Sequence, residues 1–311
     1  MPKSSSAARV CKPALVARGS LLAAILLLLA SPCDAALTGA DRLGVVYNSI
    51  LSAQFDRADA EIARACPPAP SEACRVLEAV STWWRIQIDP DNRSRDALLN
   101  DRARIAGKAA DAWATRDPKN AEAWFYLASA YAPLVQWQVL RGERLAAARN
   151  ANRIREALEH ALRLDPAMAD AHFGIGVYEY YADVAPAGAK LFRWLLLLPG
   201  GDRAKGLQAI DTTRQSGTLL RGEADFQRYV IDIWYEHKPD EALRILRSLD
   251  ARYPNNPLFL QRIAETYDTY LHDRNASAAA WQTLIDRAAH DSVYDRVRVT
   301  ALAERRRRAL F

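Results

Sequence analysis

Apolar residues recur at helical spacing along most of this chain. The first two runs each place four such residues on one face, Leu43, Val46, Tyr47 and Ile50 in one run and Phe55, Ala58, Ile62 and Ala65 in the next. This spacing is typical of amphipathic helices that bury one side. The pattern therefore predicts consecutive helices rather than strands.

Prolines mark where these helices end. The first pair of helices is predicted to stop at Pro67 and Pro68, and a new helix to begin at Ser71. Its apolar positions are Val76, Leu77, Val80, Trp83 and Trp84, and those of the helix that starts near Ser94 are Leu98, Ile105, Ala109 and Trp113. The turns at 89–92 and 117–120 each contain a proline, where a helix cannot continue.

Residues 121–131, AEAWFYLASAY, resemble the first helix of a tetratricopeptide repeat, because Trp124, Leu127, Ala128 and Tyr131 have the expected offsets. Residues 154–166 resemble its second helix and terminal proline. The same register returns between Ala242 and Tyr267 without an insertion. In the first repeat, extra residues between 133 and 153 must lengthen the helices or their loop. The resemblance covers residues 121–289 well and 43–113 loosely.

This resemblance implies an all-α protein, an α-solenoid of about six tetratricopeptide-like hairpins with a polar capping helix over Ser292–Arg308. The sequence as a whole predicts an organisation in three parts. Residues 1–35 are a cleaved secretory signal, 36–115 are divergent N-terminal hairpins, and 116–311 are tetratricopeptide-like repeats with the C-terminal cap.

The segment 169–210 is the most distinctive part of the sequence. It carries FGIGVYEYYA, a leucine block at Leu191–Leu198 and the turn PGGDR. Over about forty residues it is similar to the eukaryotic inclusion-body clearance family of tetratricopeptide proteins at the mitochondrial outer membrane. Asp202 is expected to cap a following helix rather than to leave a phosphate-binding loop.

The N-terminus has the features of an export signal. Lys3, Arg9, Lys12 and Arg18 precede the apolar run 21–30, and small residues follow near Ala35. An uncleaved anchor is the alternative. Cleavage after Ala35 leaves 38 basic and 36 acidic residues, so the sequence does not indicate nucleic-acid binding. We expect a periplasmic or cell-envelope protein, or a secreted one in a eukaryote.

The mature chain keeps two cysteines, Cys66 and Cys74, on either side of a proline-rich loop. In an oxidising compartment this pair is expected to form a disulfide, which for so small a loop contributes about 2 to 3 kcal/mol. Free buried thiols are the alternative. A zinc site is not indicated, because two thiols without a nearby histidine do not complete one.

The sequence contains no catalytic motif, no metal-ligand pattern and no cofactor fingerprint. Its five histidines are scattered, and PGGDR lacks the Lys-Ser/Thr pair of a Walker loop. We therefore predict no enzymatic activity, no metal and no cofactor. A hydrolase remains an alternative if carboxylates such as Glu122, Asp170, Glu179 and Glu265 meet across repeats.

The predicted function is that of an exported scaffold that binds a protein or peptide on its concave face. The candidate contacts are the first-helix residues Phe125, Ser129, Phe173, Val177, Tyr180, Gln261 and Glu265. Another hypothesis is a lipid-binding or membrane-surface protein that uses Leu191, Trp194 and Leu195 of the leucine block. The sequence leaves the oligomeric state open.

Overall fold

The computed structural model describes residues 37–186, 199–290 and 296–310, and these residues form an all-α structure without strands. Successive helices pack against one another along the chain. The thirteen helices of the described residues are α1 (Ala40–Leu51), α2 (Phe55–Ala65), α3 (Ser71–Ile88), α4 (Asp96–Arg116), α5 (Ala121–Leu140), α6 (Arg144–Leu164), α7 (Ala171–Val184), α8 (Arg203–Ser216), α9 (Arg221–Trp234), α10 (Pro239–Arg252), α11 (Pro257–Thr269), α12 (Arg274–His290) and α13 (Arg296–Arg308).

The helix boundaries follow local chemistry, as the sequence predicted. Helix α2 ends at Ala65, just before Pro67, and α3 begins at Ser71. The side chain of Asn120 accepts two backbone N–H groups at the start of α5, and that of Asn256 accepts one at the start of α11. These bonds satisfy donors that a helix start leaves without intrahelical partners.

The extra residues of the predicted insertion lengthen both helices of their hairpin. Helix α5 has 20 residues and α6 has 21, and the connection spans residues 141–143. Arg141 fixes this connection by donating two hydrogen bonds to the carboxylate of Asp96 at 2.8 and 2.9 Å. The α5/α6 hairpin therefore extends beyond the shorter hairpins that follow it.

The prediction for the packed face of α4 was wrong for Leu98 and Ile105, although Trp113 does pack against the core. Leu98 and Ile105 are each 44% exposed. The face that packs instead carries small residues, among them Ala103, Ala106 and Ala110, which let the neighbouring helices approach closely. Small residues give a weak hydrophobic signal, so the larger Leu98 and Ile105 dominated the periodicity.

One hydrophobic core extends from the first hairpin to α11. Trp84 of α3 is fully buried, and its ring lies 5.4 Å from that of Phe226 and 6.1 Å from that of Phe259. The side-chain amide of Asn256 donates to the carbonyl oxygen of Leu51 at 2.8 Å. Residues before and after position 115 thus share one core, and the described residues belong to one compact unit.

Cys66 and Cys74 form the predicted disulfide, with sulfur atoms 2.09 Å apart. It ties the end of α2 to the first turns of α3. Within the described ranges, no helix is both long enough and apolar enough to cross a membrane. The predicted signal, residues 1–35, lies outside the described residues.

Candidate functional site

Helices α7 and α8 cross at two glycines. A Cβ atom on Gly206 would lie 2.6 Å from the backbone nitrogen of Tyr180, and one on Gly176 would lie 2.7 Å from the carbonyl oxygen of Gly206. Neither position can hold a larger residue without moving backbone. Gly176 of FGIG and Gly206 of KGLQ therefore bring these two helices into direct contact.

The turn before α8 is closed by carboxylates. Asp202 caps the helix by accepting the backbone N–H of Lys205 at 3.0 Å, as predicted. Glu179 and Asp183 of α7 accept the N–H groups of Asp202 and Arg203 at 2.8 and 3.3 Å. Acidic side chains thus occupy the N–H groups that a bound phosphate would use, so this turn does not offer an anion site.

A large apolar cavity lies between α5, α6 and α7. Its volume is about 880 Å³, within the usual range of sites for small ligands. Val139 and Leu145, which are 64% and 51% exposed, line its solvent-facing part. The described residues that line it are Phe125, Ala128, Ser129, Ala132, Val135, Gln136 and Val139 of α5; Arg144, Leu145, Ala147, Ala148, Ala151, Ile154 and Leu158 of α6; Phe173, Gly174, Val177, Tyr178, Tyr181 and Ala182 of α7; and Asp170, Ala185, Leu220 and Gln227.

The cavity exists because small residues face each other across the lengthened hairpin. Ala128 and Ala132 of α5 face inward, as do Ala147, Ala148 and Ala151 of α6. Alanine side chains fill little of the space between helices, whereas a well-packed interior leaves few voids larger than a water molecule. The larger Phe173 and Val177 of α7 form the opposite wall.

Among the described residues of the wall, the neutral polar side chains have partners within the protein, and Arg144 at the rim does not. The Ser129 hydroxyl donates to the carbonyl oxygen of Phe125 at 2.8 Å, and the Gln227 amide donates to the Tyr181 hydroxyl at 2.8 Å. Gln136 accepts from the indole N–H of Trp83 at 2.9 Å. These groups do not need a ligand as a hydrogen-bond partner.

Asp170 is buried in this wall, and its carboxylate is hydrogen-bonded to backbone N–H groups. Its carboxylate accepts the N–H groups of Thr218, Leu219 and Leu220, at distances between 2.8 and 3.2 Å. These residues lead into α9, so Asp170 fixes the start of that helix beside the cavity. Its negative charge is thereby offset by N–H dipoles.

The structure brings four of the predicted contact residues to this cavity and places three elsewhere. Ser129, Phe173 and Val177 line it, and so does Phe125, although that side chain is itself almost fully buried. Gln261 and Glu265 lie on α11, where the Gln261 amide donates to Glu265 at 2.9 Å, and neither lines the cavity. Gln261 and Glu265 therefore lie apart from the predicted contact residues that line this cavity.

Tyr180 requires a correction, because it is fully buried and cannot contact a partner. Its hydroxyl donates to Glu236 at 2.6 Å, and Arg203 also binds this carboxylate. The Arg203 guanidinium lowers the pKa of Glu236 to about 2. Tyr180 thus belongs to an internal contact between α7, α8 and the end of α9. Leu191, Trp194 and Leu195 lie outside the described residues.

The four carboxylates of the hydrolase alternative each have a separate local role. Glu122 accepts from the backbone N–H and hydroxyl of Thr38 at 2.9 and 2.8 Å, and Glu265 pairs with Arg262 at 2.6 Å. Asp170 and Glu179 hold helix starts, as described above. In the part of the chain that the structure describes, no group of three acidic, histidine or cysteine residues could hold a metal ion.

Glu223 of α9 is a buried acid that sequence analysis missed. Its carboxyl group accepts the indole N–H of Trp84 at 3.1 Å and the hydroxyl of Tyr47 at 3.4 Å. Burial raises the pKa of Glu223 to about 7, although the hydrogen bonds of Trp84, Gln136 and Tyr47 oppose this rise. The position was missed because its donors come from helices far away in sequence.

A second groove, of about 1080 Å³, lies on the other side of α5. Trp124 and Tyr131 form part of its floor, and its walls carry charges of both signs, including Asp101, Arg104 and Lys108. Arg104 and Asp101 already form an ion pair at 3.3 Å. This mixed and open surface indicates a solvated groove rather than an enclosed site.

Several cavity residues were not predicted, among them Val135, Val139, Leu145 and the facing alanines. The insertion between residues 133 and 153 was the available signal, since it lengthens one hairpin and carries the alanine-rich run LAAARNA. No family model and no curated protein sequence matches this chain.

Proposed function

We propose that this chain is a non-catalytic, exported protein of tetratricopeptide type that binds the apolar part of a ligand in the cavity between α5, α6 and α7. The observation that carries the proposal is the cavity itself, an apolar volume of about 880 Å³ whose neutral polar side chains already have partners. Burying apolar ligand surface there gains about 25 cal/mol per Å².

The same observation limits the kind of ligand. An extended peptide would bring backbone N–H and C=O groups into a wall with few free partners, at about 1 to 3 kcal/mol for each unsatisfied group. A helix satisfies its own backbone, and an acyl chain has no such groups. The cavity therefore favours an acyl chain or the apolar face of a helix over the extended peptide that the sequence alone would allow.

Export is supported by the signal-like residues 1–35 and by the Cys66–Cys74 disulfide, a bond typical of oxidising compartments. The tetratricopeptide assignment is supported by the motif at residues 121–131 and by the sequential packing of helices.

Nile red, a neutral dye that fluoresces in apolar surroundings, tests the proposal on the mature protein. We expect it to bind, and Ala148→Trp to weaken binding about tenfold because the indole fills the cavity. Ala146→Trp, on the same helix but not in the cavity wall, is the matched control and should bind as the parent does. Circular dichroism of both variants verifies folding. Absence of dye binding to the parent protein, or equal binding by folded Ala148→Trp, rejects the proposal.

A further inference from the structure

The two charged side chains described at the cavity differ in how available they are to a ligand. Two charged side chains, Asp170 and Arg144, are found among the described residues of its wall. Asp170 is buried and accepts three backbone N–H groups, so it presents no free carboxylate to a ligand. Arg144 stands at the first residue of α6 and is exposed.

Arg144 has no acidic partner among the described residues. Some arginines of this chain do pair with nearby carboxylates, as Arg141 does with Asp96 at 2.8 Å. The side chain of Glu143 precedes Arg144 but does not line the cavity. The available charge at the rim is therefore positive, next to the exposed apolar residue Leu145.

We propose that the cavity binds a single-chain anionic amphiphile, with its acyl chain between α5, α6 and α7 and its carboxylate or phosphate head against Arg144. This inference rests on the proposed function, since it assigns a ligand class to the same site. An acyl chain suits the wall because the described lining is mainly apolar and its neutral polar side chains have partners within the protein. The Arg144 guanidinium suits the carboxylate or phosphate head because a guanidinium can donate several hydrogen bonds to an oxyanion.

Displacement of Nile red by three ligands with a fourteen-carbon chain tests the inference: tetradecanoic acid, tetradecanol and tetradecyltrimethylammonium, the alcohol below its solubility limit and the two ions below their critical micelle concentrations. We expect the acid to compete about fivefold better than the alcohol, because one ion pair at an exposed rim strengthens binding by about that factor. The ammonium should compete least well. Tetradecyl phosphate, measured in parallel, distinguishes a phosphate from a carboxylate head.

Arg144→Gln should reduce the affinity for tetradecanoic acid to that for tetradecanol and leave the binding of the alcohol and of Nile red unchanged. Arg149→Gln is the matched control, because Arg149 is exposed on the same helix but does not line the cavity. It should retain the preference for the anion.

The two proposals fail in different ways. Equal competition by all three head groups, or a preference that survives in Arg144→Gln, overturns the anionic amphiphile and leaves the apolar site intact. A second result also overturns the anionic amphiphile. If none of the four amphiphiles displaces bound dye but a designed amphipathic helical peptide does, the cavity binds a polypeptide. Failure of Nile red to bind rejects the proposed function itself.

Discussion

Glu223 is a buried carboxyl group held between the N-terminal helices and α9. Trp84 and Tyr47 donate to it across 139 and 176 residues of sequence, respectively. Because burial raises its pKa from 4.5 to about 7, the folded protein keeps this group neutral over a range in which the unfolded chain ionises it. A single residue thus links the pH of the solution to the packing of distant helices.

This linkage predicts that stability falls as pH rises from about 4.5 to about 7, because the folded state binds the proton more tightly than the unfolded state does. The expected loss from Glu223 is about 3 kcal/mol across that range. Urea unfolding at several pH values measures it. Glu223→Gln should remove this component, whereas Glu241→Gln, a surface residue paired with Arg244, should not. A Glu223→Gln variant with the slope of the parent protein would contradict the assignment.

At the scale of elements, the close crossing of α7 and α8 depends on the absence of side chains. Gly206 and Gly176 meet backbone atoms within 3.0 Å of where a Cβ atom would lie. Gly201 is also pressed against α7, since its Cβ would lie 2.7 Å from the backbone nitrogen of Asp183. These glycines set the position of α7, whose other side forms the wall of the cavity.

Two glycine-to-alanine substitutions should therefore have opposite effects. Gly206→Ala places a methyl group 2.6 Å from the Tyr180 backbone nitrogen and should cost about 2 to 3 kcal/mol of unfolding free energy. Gly44→Ala, within α1 and with no heavy atom within 4 Å, should stabilise the protein by up to about 1 kcal/mol through helix propensity. Chemical denaturation of both variants measures the difference. Equal changes in unfolding free energy for the two variants would show that the α7/α8 contact has room for a side chain at Gly206.

At the scale of the whole molecule, contacts between early and late helices also hold the described helices together. Trp84 joins α3 to α9 and α11 through Phe226 and Phe259, and α3 and α11 pack directly. A solenoid stabilised by neighbouring repeats alone would unfold in separable parts. Contacts of this range favour a single cooperative transition.

Trp84→Ala should therefore destabilise the entire unit by about 3 to 5 kcal/mol, because the cavity left by the indole lies in the shared core. Trp234→Ala is the matched control, since Trp234 is 51% exposed, and it should cost less than about 1 kcal/mol. Calorimetry of both variants and of the parent shows the number of transitions. Separate unfolding of the N-terminal hairpins would count against a shared core.

The amino-acid sequence by itself determined the local structure of this protein. The caps at Asn120, Asp202 and Asn256, the breaks at prolines and the 3.6-residue periodicity all act within a few residues, so the helix order and most boundaries could be predicted. The pairing of Cys66 with Cys74 was predictable for the same reason, because the loop between them is short.

The tertiary structure alone decided which surfaces face each other. Periodicity identifies the apolar side of a helix but not its partner, so it could not foresee that Tyr180 is buried against Glu236 or that Leu98 is exposed. It also gave alanines little weight, although the alanines of α5 and α6 create the cavity by leaving space. The position of Arg144 beside that space follows from how three helices pack, and no local pattern encodes it.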